Sequence, residues 1–373
     1  MGAIQQAVAL ASTESAERKA NAAVYNLMSS EMMSARKRVR RADIALGEYH
    51  CSVPLIHQSR LTTTELGGIG KNLSEGWCLN FAVGCTHGCP FCYVDSIYKR
   101  FGRNRYGKIV LRRWGDYLLV PDNIHAAIAE TRWERWKDTE VMLSSTHDPY
   151  IPELKGLARA ILEEALPQGV RFCIQTRSTL VLDDLSLLAD YRNQVRLQVS
   201  LATSNEAFAR IIEPRVPSPA SRLKILEKAK SSRIRTGVII APVFPPVTAR
   251  PDVVDDLKEL ATMLSKTCPD YIFGESLHVR GGNYRLLEDV LHEPVASRHD
   301  FDETASSILR GELRRKGLTA TWWPEHGLAH DSRRLNQRSI SLVTPITQLQ
   351  GGTGICRGKG RTTGNGLRSI SRF

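Results

Sequence analysis

No stretch of the 373-residue sequence approaches about 18 consecutive apolar residues, so no membrane-spanning helix is expected. The amino terminus also lacks a signal-peptide core, because Glu14 and Glu17 interrupt it before any long hydrophobic segment. A cytoplasmic location without membrane contact is the resulting expectation. Gln6 stands where a myristoylation signal on Gly2 would need Ser or Thr. Cysteine is sparse and scattered: Cys51, Cys78, Cys173, Cys268 and Cys356 stand apart, and only Cys85, Cys89 and Cys92 share a loop. That distribution excludes a disulfide framework and directs attention to metal ligation or redox chemistry at the triplet. The glycines of 67–72 lack the Gly-x4-Gly-Lys-Ser/Thr spacing of a phosphate loop. Acidic residues are missing between Asp95 and Asp116 and again beyond Asp331.

What is present is mainly positive. A formal charge of +12 points to a polyanionic partner such as DNA or RNA, since clustered Lys and Arg gain by releasing condensed counterions. With 42% apolar and 24% charged residues, the chain can bury a core suited to one large catalytic domain with appendages. Residues 1–72 read as a partly helical N-terminal extension that carries the basic run Arg36, Lys37, Arg38, Arg40, Arg41. Residues 73–330 read as the catalytic domain. Residues 331–373 form a basic tail of Gly, Ser, Thr and Arg, too polar to fold on its own.

In the central region, short apolar runs alternate with longer amphipathic segments, the pattern of repeated βα units around a parallel sheet. Strands are expected at 78–83, 140–144, 171–175, 195–201, 235–240 and 271–273, with a later one at 318–322. Helices are expected at 124–136, 154–166, 182–191, 206–212, 218–231 and 252–264. The fold class is therefore α/β, a partial (β/α)6 TIM-like barrel.

The triplet lies in Gly84-Cys85-Thr86-His87-Gly88-Cys89-Pro90-Phe91-Cys92-Tyr93, directly after the first of these strands. Three thiolates on a cubane iron-sulfur cluster leave one iron open to an exogenous ligand, whereas four close it. Gly84 and Gly88 let the backbone curl and offer amide N–H groups to the sulfurs. Two other readings stand beside this one. His87 completes a Cys3His set for structural zinc, which would make the chain a zinc-stabilised nucleic-acid-binding module rather than an enzyme. Cys89 and Cys92 alone fit a redox dithiol, which leaves Cys85 unexplained.

The Cys-x3-Cys-x2-Cys spacing, with Phe91 before the last cysteine, resembles the signature of the radical S-adenosylmethionine (radical SAM) superfamily. The resemblance covers about residues 76–250 and narrows to the spore photoproduct lyase-like branch, also called DNA repair photolyase-like. It runs through Ser145-Thr146-His147-Asp148-Pro149-Tyr150, Gln175-Thr176-Arg177-Ser178 and the 212–219 block containing Glu213 and Arg215. It implies a [4Fe-4S] cluster on Cys85, Cys89 and Cys92. It also implies reductive cleavage of S-adenosylmethionine to a 5′-deoxyadenosyl radical, and an external electron donor such as flavodoxin or ferredoxin. Ser144, Ser145 and Thr146 stand where the superfamily meets the methionine ammonium, with Asp148 as the added charge. Gln175, Thr176, Arg177 and Ser200 are placed toward the ribose and carboxylate, and Glu213 and Arg215 as a polar pair closing the site. All lie at carboxyl ends of the expected strands, where a parallel barrel gathers its ligands.

Toward substrate, the resemblance implies nucleic-acid modification or repair, including lyase chemistry. The alternative is radical modification of a protein or small molecule. The branch's repair lyases use a non-ligand cysteine after the cluster motif, and this sequence has none between Cys92 and Cys173. The basic and aromatic run from Tyr98 to Trp114 is the best sequence candidate for a nucleic-acid contact. Tyr284, Trp322, Trp323, Glu325 and His326 are further candidates for the substrate side.

Overall fold

Alternation along each strand sorts side chains onto two faces, and here one face is apolar throughout while the other turns polar. The computed structural model describes residues 49–58, 76–106, 112–278, 283–295 and 299–323. The expected helical segment before residue 49 and the basic tail lie outside the described residues, as do Glu325 and His326.

The strands are β1 (Ile56–Gln58), β2 (Trp77–Leu79), β3 (Glu140–Leu143), β4 (Arg171–Thr176), β5 (Val195–Ser200), β6 (Arg235–Val243), β7 (Tyr271–Ser276) and β8 (Thr321–Trp323). They form one open sheet in chain order, with β1 antiparallel to β2 and every later pair parallel. The expected α/β partial barrel is thus present, with its strands starting where the sequence pattern places them to within three residues. Two differences have physical reasons. β1 falls in the segment read as an extension; three residues are too short for a period-2 signal to register. β2 ends at Leu79 rather than 83, because Val83 leaves the sheet to exchange backbone hydrogen bonds with Leu119 at 2.9 and 2.8 Å.

The helices are α1 (Val94–Tyr106), α2 (Ile124–Glu130), α3 (Lys155–Ala165), α4 (Leu185–Asp190), α5 (Glu206–Ile212), α6 (Pro219–Ser231), α7 (Val253–Thr267), α8 (Asn283–Leu291) and α9 (His299–Arg315). Starts are written in the sequence. Asn205 accepts from the Phe208 amide to cap α5, Ser218 caps α6 with Pro219 at its first turn, and Asp252 caps α7. α1 is unexpected, because its many charges hide a helical face; Asp95 anchors it through Lys99 at 2.7 Å and the Tyr117 hydroxyl at 2.9 Å. Among the described residues no helix is long and apolar enough to cross a membrane.

The apolar face packs Leu79, Val141, Leu143, Phe172, Ile174, Leu197, Val199, Val238, Ile240 and Ile272 with helix residues such as Leu162, Leu226 and Leu260. Each such side chain contributes roughly 1.5–3 kcal/mol on burial. The opposite face carries Cys78, Met142, Cys173, Ile239 and Phe273. In register with them stand Arg196 beside Cys173 and Gln175 beside Gln198. Arg196 is wholly buried and pairs with Glu140 at 2.9 Å, closing the amino-terminal end of this face with an ion pair. Polar residues toward the carboxyl end are left for the site.

Gly274 in β7 is required by a close approach: an added Cβ would lie 2.3 Å from the Trp322 ring. Trp322 is itself buried and donates to Asp302 at 3.0 Å. Gly274→Ala is expected to cost about 2 kcal/mol by overpacking. Urea denaturation checks this, and an unchanged midpoint would contradict the assigned packing.

Candidate active site

The cysteine loop begins where β2 gives way to the Val83 bridge, and two glycines shape it. Gly84 has φ +100°, and a Cβ there would sit 2.5 Å from the Tyr117 carbonyl oxygen. Gly88 has φ +62° and lies against Gly115. Turns close from Gly88 N–H to the Cys85 carbonyl at 3.2 Å and from Cys92 N–H to the Cys89 carbonyl at 3.0 Å. The loop is clamped from outside. Trp114 donates to the Cys89 carbonyl at 2.9 Å, and Asn283 donates to the Phe91 carbonyl at 2.9 Å. The Arg215 guanidinium donates to the carbonyls of Thr86 at 3.1 Å and Gly115 at 2.6 Å, and pairs with Asp116 at 3.1 Å.

All three thiols are free; Cys85 and Cys89 are buried and Cys92 is half-buried. Burial pushes Cys85 and Cys92 up to about 12 and Cys89 higher still, and the three raise one another through mutual charge repulsion. A bare thiolate is therefore disfavoured, so the site suits a cationic occupant that displaces the protons. Arg177 and Arg222 already lean the other way at Cys89, favouring its anion. Among the described residues no three His, Cys, Asp or Glu side chains gather tightly enough for a single ion. Three thiols that each bind a separate iron of a cubane need not converge so closely, and this donor set fits such a cluster.

Asp148 organises what faces the loop. Its carboxylate accepts from Tyr150 N–H at 2.9 Å, the Thr176 hydroxyl at 2.7 Å and Arg177 N–H at 2.7 Å, and meets His87 Nε2 at 3.2 Å. Burial alone would raise its pKa, but these partners, His87 foremost, hold it down at about 2. Both oxygens are committed within the protein, so Asp148 is a fastener between β3, β4 and the cysteine loop, in place of the free charge expected for an ammonium. His87 is occupied too, its Nδ1 meeting the Arg215 carbonyl at 3.3 Å. Both ring nitrogens of His87 are thus engaged within the protein.

The other expected residues do converge on the carboxyl ends of β3, β4 and β5. Ser144 is buried against His147, bonding its ring nitrogen at 3.0 Å. Ser145 is held by Asn80, whose side chain takes its N–H at 2.8 Å, and by Tyr93, whose hydroxyl donates to the Ser145 carbonyl at 3.1 Å. Thr146 donates to the Ala82 carbonyl at 2.8 Å. Gln175 donates to the Ser200 hydroxyl at 3.2 Å. The Gln175 Oε1 and both polar atoms of Gln198 are buried without a protein partner, leaving acceptors and donors for a ligand or solvent.

One expected contact is corrected. Glu213 does not pair with Arg215; it is buried between Arg177, at 2.9 Å, and Arg222. Burial alone would raise the Glu213 pKa, and the two guanidinium charges lower it below the usual carboxylate range. Arg215 is drawn instead to the cysteine loop. Arg177 also lies 5.7 Å from the centre of the Phe91 ring, which places it beside the loop. Sequence reasoning missed Arg222, because a wholly buried Arg on a basic helix reads as a solvated one. It missed Asn80 as well; its position two residues beyond Cys78, on the same strand face, was the available signal. On the distal side, Trp322 is core, whereas Trp323 meets His278 edge-on with ring centres 5.3 Å apart. Tyr284 is only half-buried, on α8. Cys173 is fully buried mid-strand, as its sequence position implies.

The chain matches the Radical SAM superfamily over residues 79–260. It is 51% identical over 282 residues to protein ORF301 of Acidianus two-tailed virus, covering 76% of this chain and 94% of that protein. A protein of Methanocaldococcus jannaschii is 24% identical over 257 residues, covering 65% and 89%. Among solved structures, a spore photoproduct lyase variant superposes with TM-score 0.54 at 14% identity, covering 76% of this chain and 83% of that one. Another variant, solved with dinucleoside spore photoproduct, gives TM-score 0.53 at 14% identity over 75% and 81%. These likenesses concern the fold.

Because Asp148 is held below the ordinary carboxylate range, its ionisation stabilises the fold above about pH 4 and that contribution fades as pH falls toward 2. Asp148→Asn is expected to be about 2 kcal/mol less stable than the parent at neutral pH, with the gap narrowing through this acid window. Denaturation midpoints across pH test this; a gap constant down to pH 2 would contradict it.

Proposed function

Because the chain belongs to the radical SAM superfamily and is a radical SAM enzyme, we propose that Cys85, Cys89 and Cys92 hold its [4Fe-4S] cluster, with nucleic acid as the substrate class. The observation that carries this reading is a clamped loop of three free thiols, two buried and one half-buried, beside the Arg177 and Arg222 guanidiniums. The cluster, when bound, supplies the electron that cleaves S-adenosylmethionine reductively, giving the 5′-deoxyadenosyl radical.

The chain's own residues then act by holding and excluding. Ser144, Ser145 and Thr146 form the ledge for the methionine ammonium, kept in place by Asn80 and Tyr93. Arg177 faces the methionine carboxylate, a match of planar cation to planar anion. Glu213, itself fixed by Arg222, holds Arg177 from behind, so that its guanidinium pays little entropy on meeting a ligand. Gln175 and Ser200 lie where ribose hydroxyls exchange hydrogen bonds. Asp148, Glu213 and Arg215 act on these groups through the protein, positioning them without touching ligand. The apolar patch of Phe91, Phe208, Ile212 and Phe244 beside Cys89 keeps water from the reacting centre.

Support for a nucleic-acid substrate comes from the charge of +12, from exposed Lys99, Arg100, Arg112 and Arg113, and from a fold shared with a repair lyase. Without a cysteine between Cys92 and Cys173, the hydrogen returned to product has a different source from that branch's loop thiol. DNA or RNA modification or repair is the reading that these features favour.

Anaerobic reconstitution with iron and sulfide, followed by reduction with S-adenosylmethionine, is expected to yield 5′-deoxyadenosine. Cys89→Ala should lose both the cluster absorbance and the product. Arg177→Gln should retain the cluster yet weaken S-adenosylmethionine binding by about tenfold or more, the loss of a charge-assisted pair worth roughly 1.5–3 kcal/mol. A colourless, zinc-loaded and inactive protein would overturn the reading. Product formation without salt-sensitive binding of oligonucleotides would move the substrate to a protein or small molecule.

A further inference from the structure

The antiparallel strand β1 lies outside the residues that match the superfamily, which begin at 79, yet it places a side chain on the face of the sheet that carries the site. His57 is the register partner of Cys78, and Asn80 stands two residues further on, on that same face. Diagonal neighbours across an antiparallel pair lie within reach of a long side chain. The half-buried His57 ring uses that reach: its Nε2 meets the Asn80 Nδ2 at 3.4 Å, and its Nδ1 meets the Leu55 carbonyl at 3.2 Å. We propose that His57 is a positioning residue for S-adenosylmethionine, a neutral hydrogen-bond acceptor that fixes the Asn80 amide and, through it, Ser145. The inference rests on the reading of Ser145 as part of the ledge for the methionine ammonium and deepens it, by tracing what holds that ledge to a strand at the sheet edge.

The role of each atom follows from one group that cannot change its own. The Ser145 N–H can only donate, and it lies 2.8 Å from the Asn80 Oδ1. Turning the Asn80 amide over would set Nδ2 against that N–H, donor against donor, so the amide has a single workable orientation. With Oδ1 committed to the backbone, the Nδ2 hydrogens are left for the Ser145 hydroxyl oxygen at 3.0 Å and for His57 Nε2. Nε2 must therefore present a lone pair. That puts the ring proton on Nδ1, where the Leu55 carbonyl accepts it. The bonds from Leu55 to Ser145 thus run in one self-consistent sense, and only the neutral Nδ1–H tautomer of His57 completes it.

An ammonium ligand makes this arrangement useful, because it donates and cannot accept, so the ledge has to offer it oxygen lone pairs. The Ser145 hydroxyl proton has the Asn80 Oδ1 within 3.3 Å, which leaves an Oγ lone pair for the ligand. Without the His57 acceptor, one Nδ2 hydrogen of a half-buried amide loses its partner, and the amide is released to rotate away from Ser145. Preorganisation of the ledge is then lost although every group on it is still present.

The test uses the full-length chain in two forms. On the histidine-labelled apo-protein, nitrogen NMR should show the His57 ring neutral and protonated at Nδ1, the tautomer that free imidazole disfavours; the Nε2–H tautomer would overturn the proposal. On the reconstituted protein, S-adenosylmethionine is the probe, with calorimetry for binding and dithionite-driven 5′-deoxyadenosine formation for KM and kcat. His57→Phe, which keeps a ring and removes the acceptor, should weaken binding about tenfold and raise KM more than it lowers kcat. His57→Gln, whose Oε1 can accept from Asn80, should restore binding to within about threefold of the parent. Unchanged binding by His57→Phe, or equal losses in the Phe and Gln variants, would overturn the role. Ser145→Ala separates the two readings. If it leaves S-adenosylmethionine binding unchanged, the ledge itself fails and this inference with it; if it weakens binding while His57→Phe does not, the ledge stands and His57 alone is sunk.

Discussion

A buried carboxylate must have its charge met on every side, and in this chain that requirement falls on Asp148. Its four partners come from the cysteine loop, from its own turn and from the end of β4, so satisfying one side chain fixes three segments relative to one another. The thiol loop thereby inherits the rigidity of the parallel sheet, although it has left the sheet at Val83. Arg215 does the complementary work outside, bracing the same loop against the 115–116 turn. A loop held on both sides loses little freedom when it takes up a large inorganic group, which is how a preorganised site keeps its affinity.

The polar residues around the site form a graded series across the sheet. Glu140 and Arg196 neutralise each other at the amino-terminal end, apolar and sulfur side chains fill the middle, and Gln175, Gln198 and Ser200 lead up to Arg177. The guanidiniums of Arg177 and Arg222 share one carboxylate, Glu213, so a net positive charge persists beside Cys89. Such an excess is costly in a dry interior unless an anion arrives to meet it. A cysteine-ligated cluster and a methionine carboxylate both supply one.

Much of this was legible in the sequence. Strand positions could be read because the apolar runs are bounded by Gly and Pro, and α5 could be read to the residue because Asn205 marks its start. The three cysteines stood out through spacing alone. What could not be read were partnerships between distant residues. Nothing local distinguishes Glu213 beside Arg222 from Glu213 beside Arg215, since sequence proximity favours the wrong one and only the packing of α6 beneath β5 selects the other. Asp148 was visible as a charged residue at a strand end, but four convergent donors are a property of the fold. α1 was hidden because its basic residues dominate the composition, while Val94 and Tyr98 are among the described residues that it buries.

Strand order equal to chain order has a consequence for how the protein is made. Each βα unit can dock on the one before it as synthesis proceeds, without waiting for a strand that must be inserted between two others. The cysteine loop is the exception. It emerges early, after β2, yet the clasp from Arg215 to Thr86 spans 129 residues and the bond from Asn283 to Phe91 spans 192. On the ribosome, three reactive thiols would therefore be exposed well before their housing exists. On the proposed reading of these thiols as cluster ligands, loading of the cluster belongs after translation has passed α8, since before then the three thiols stand open with no walls.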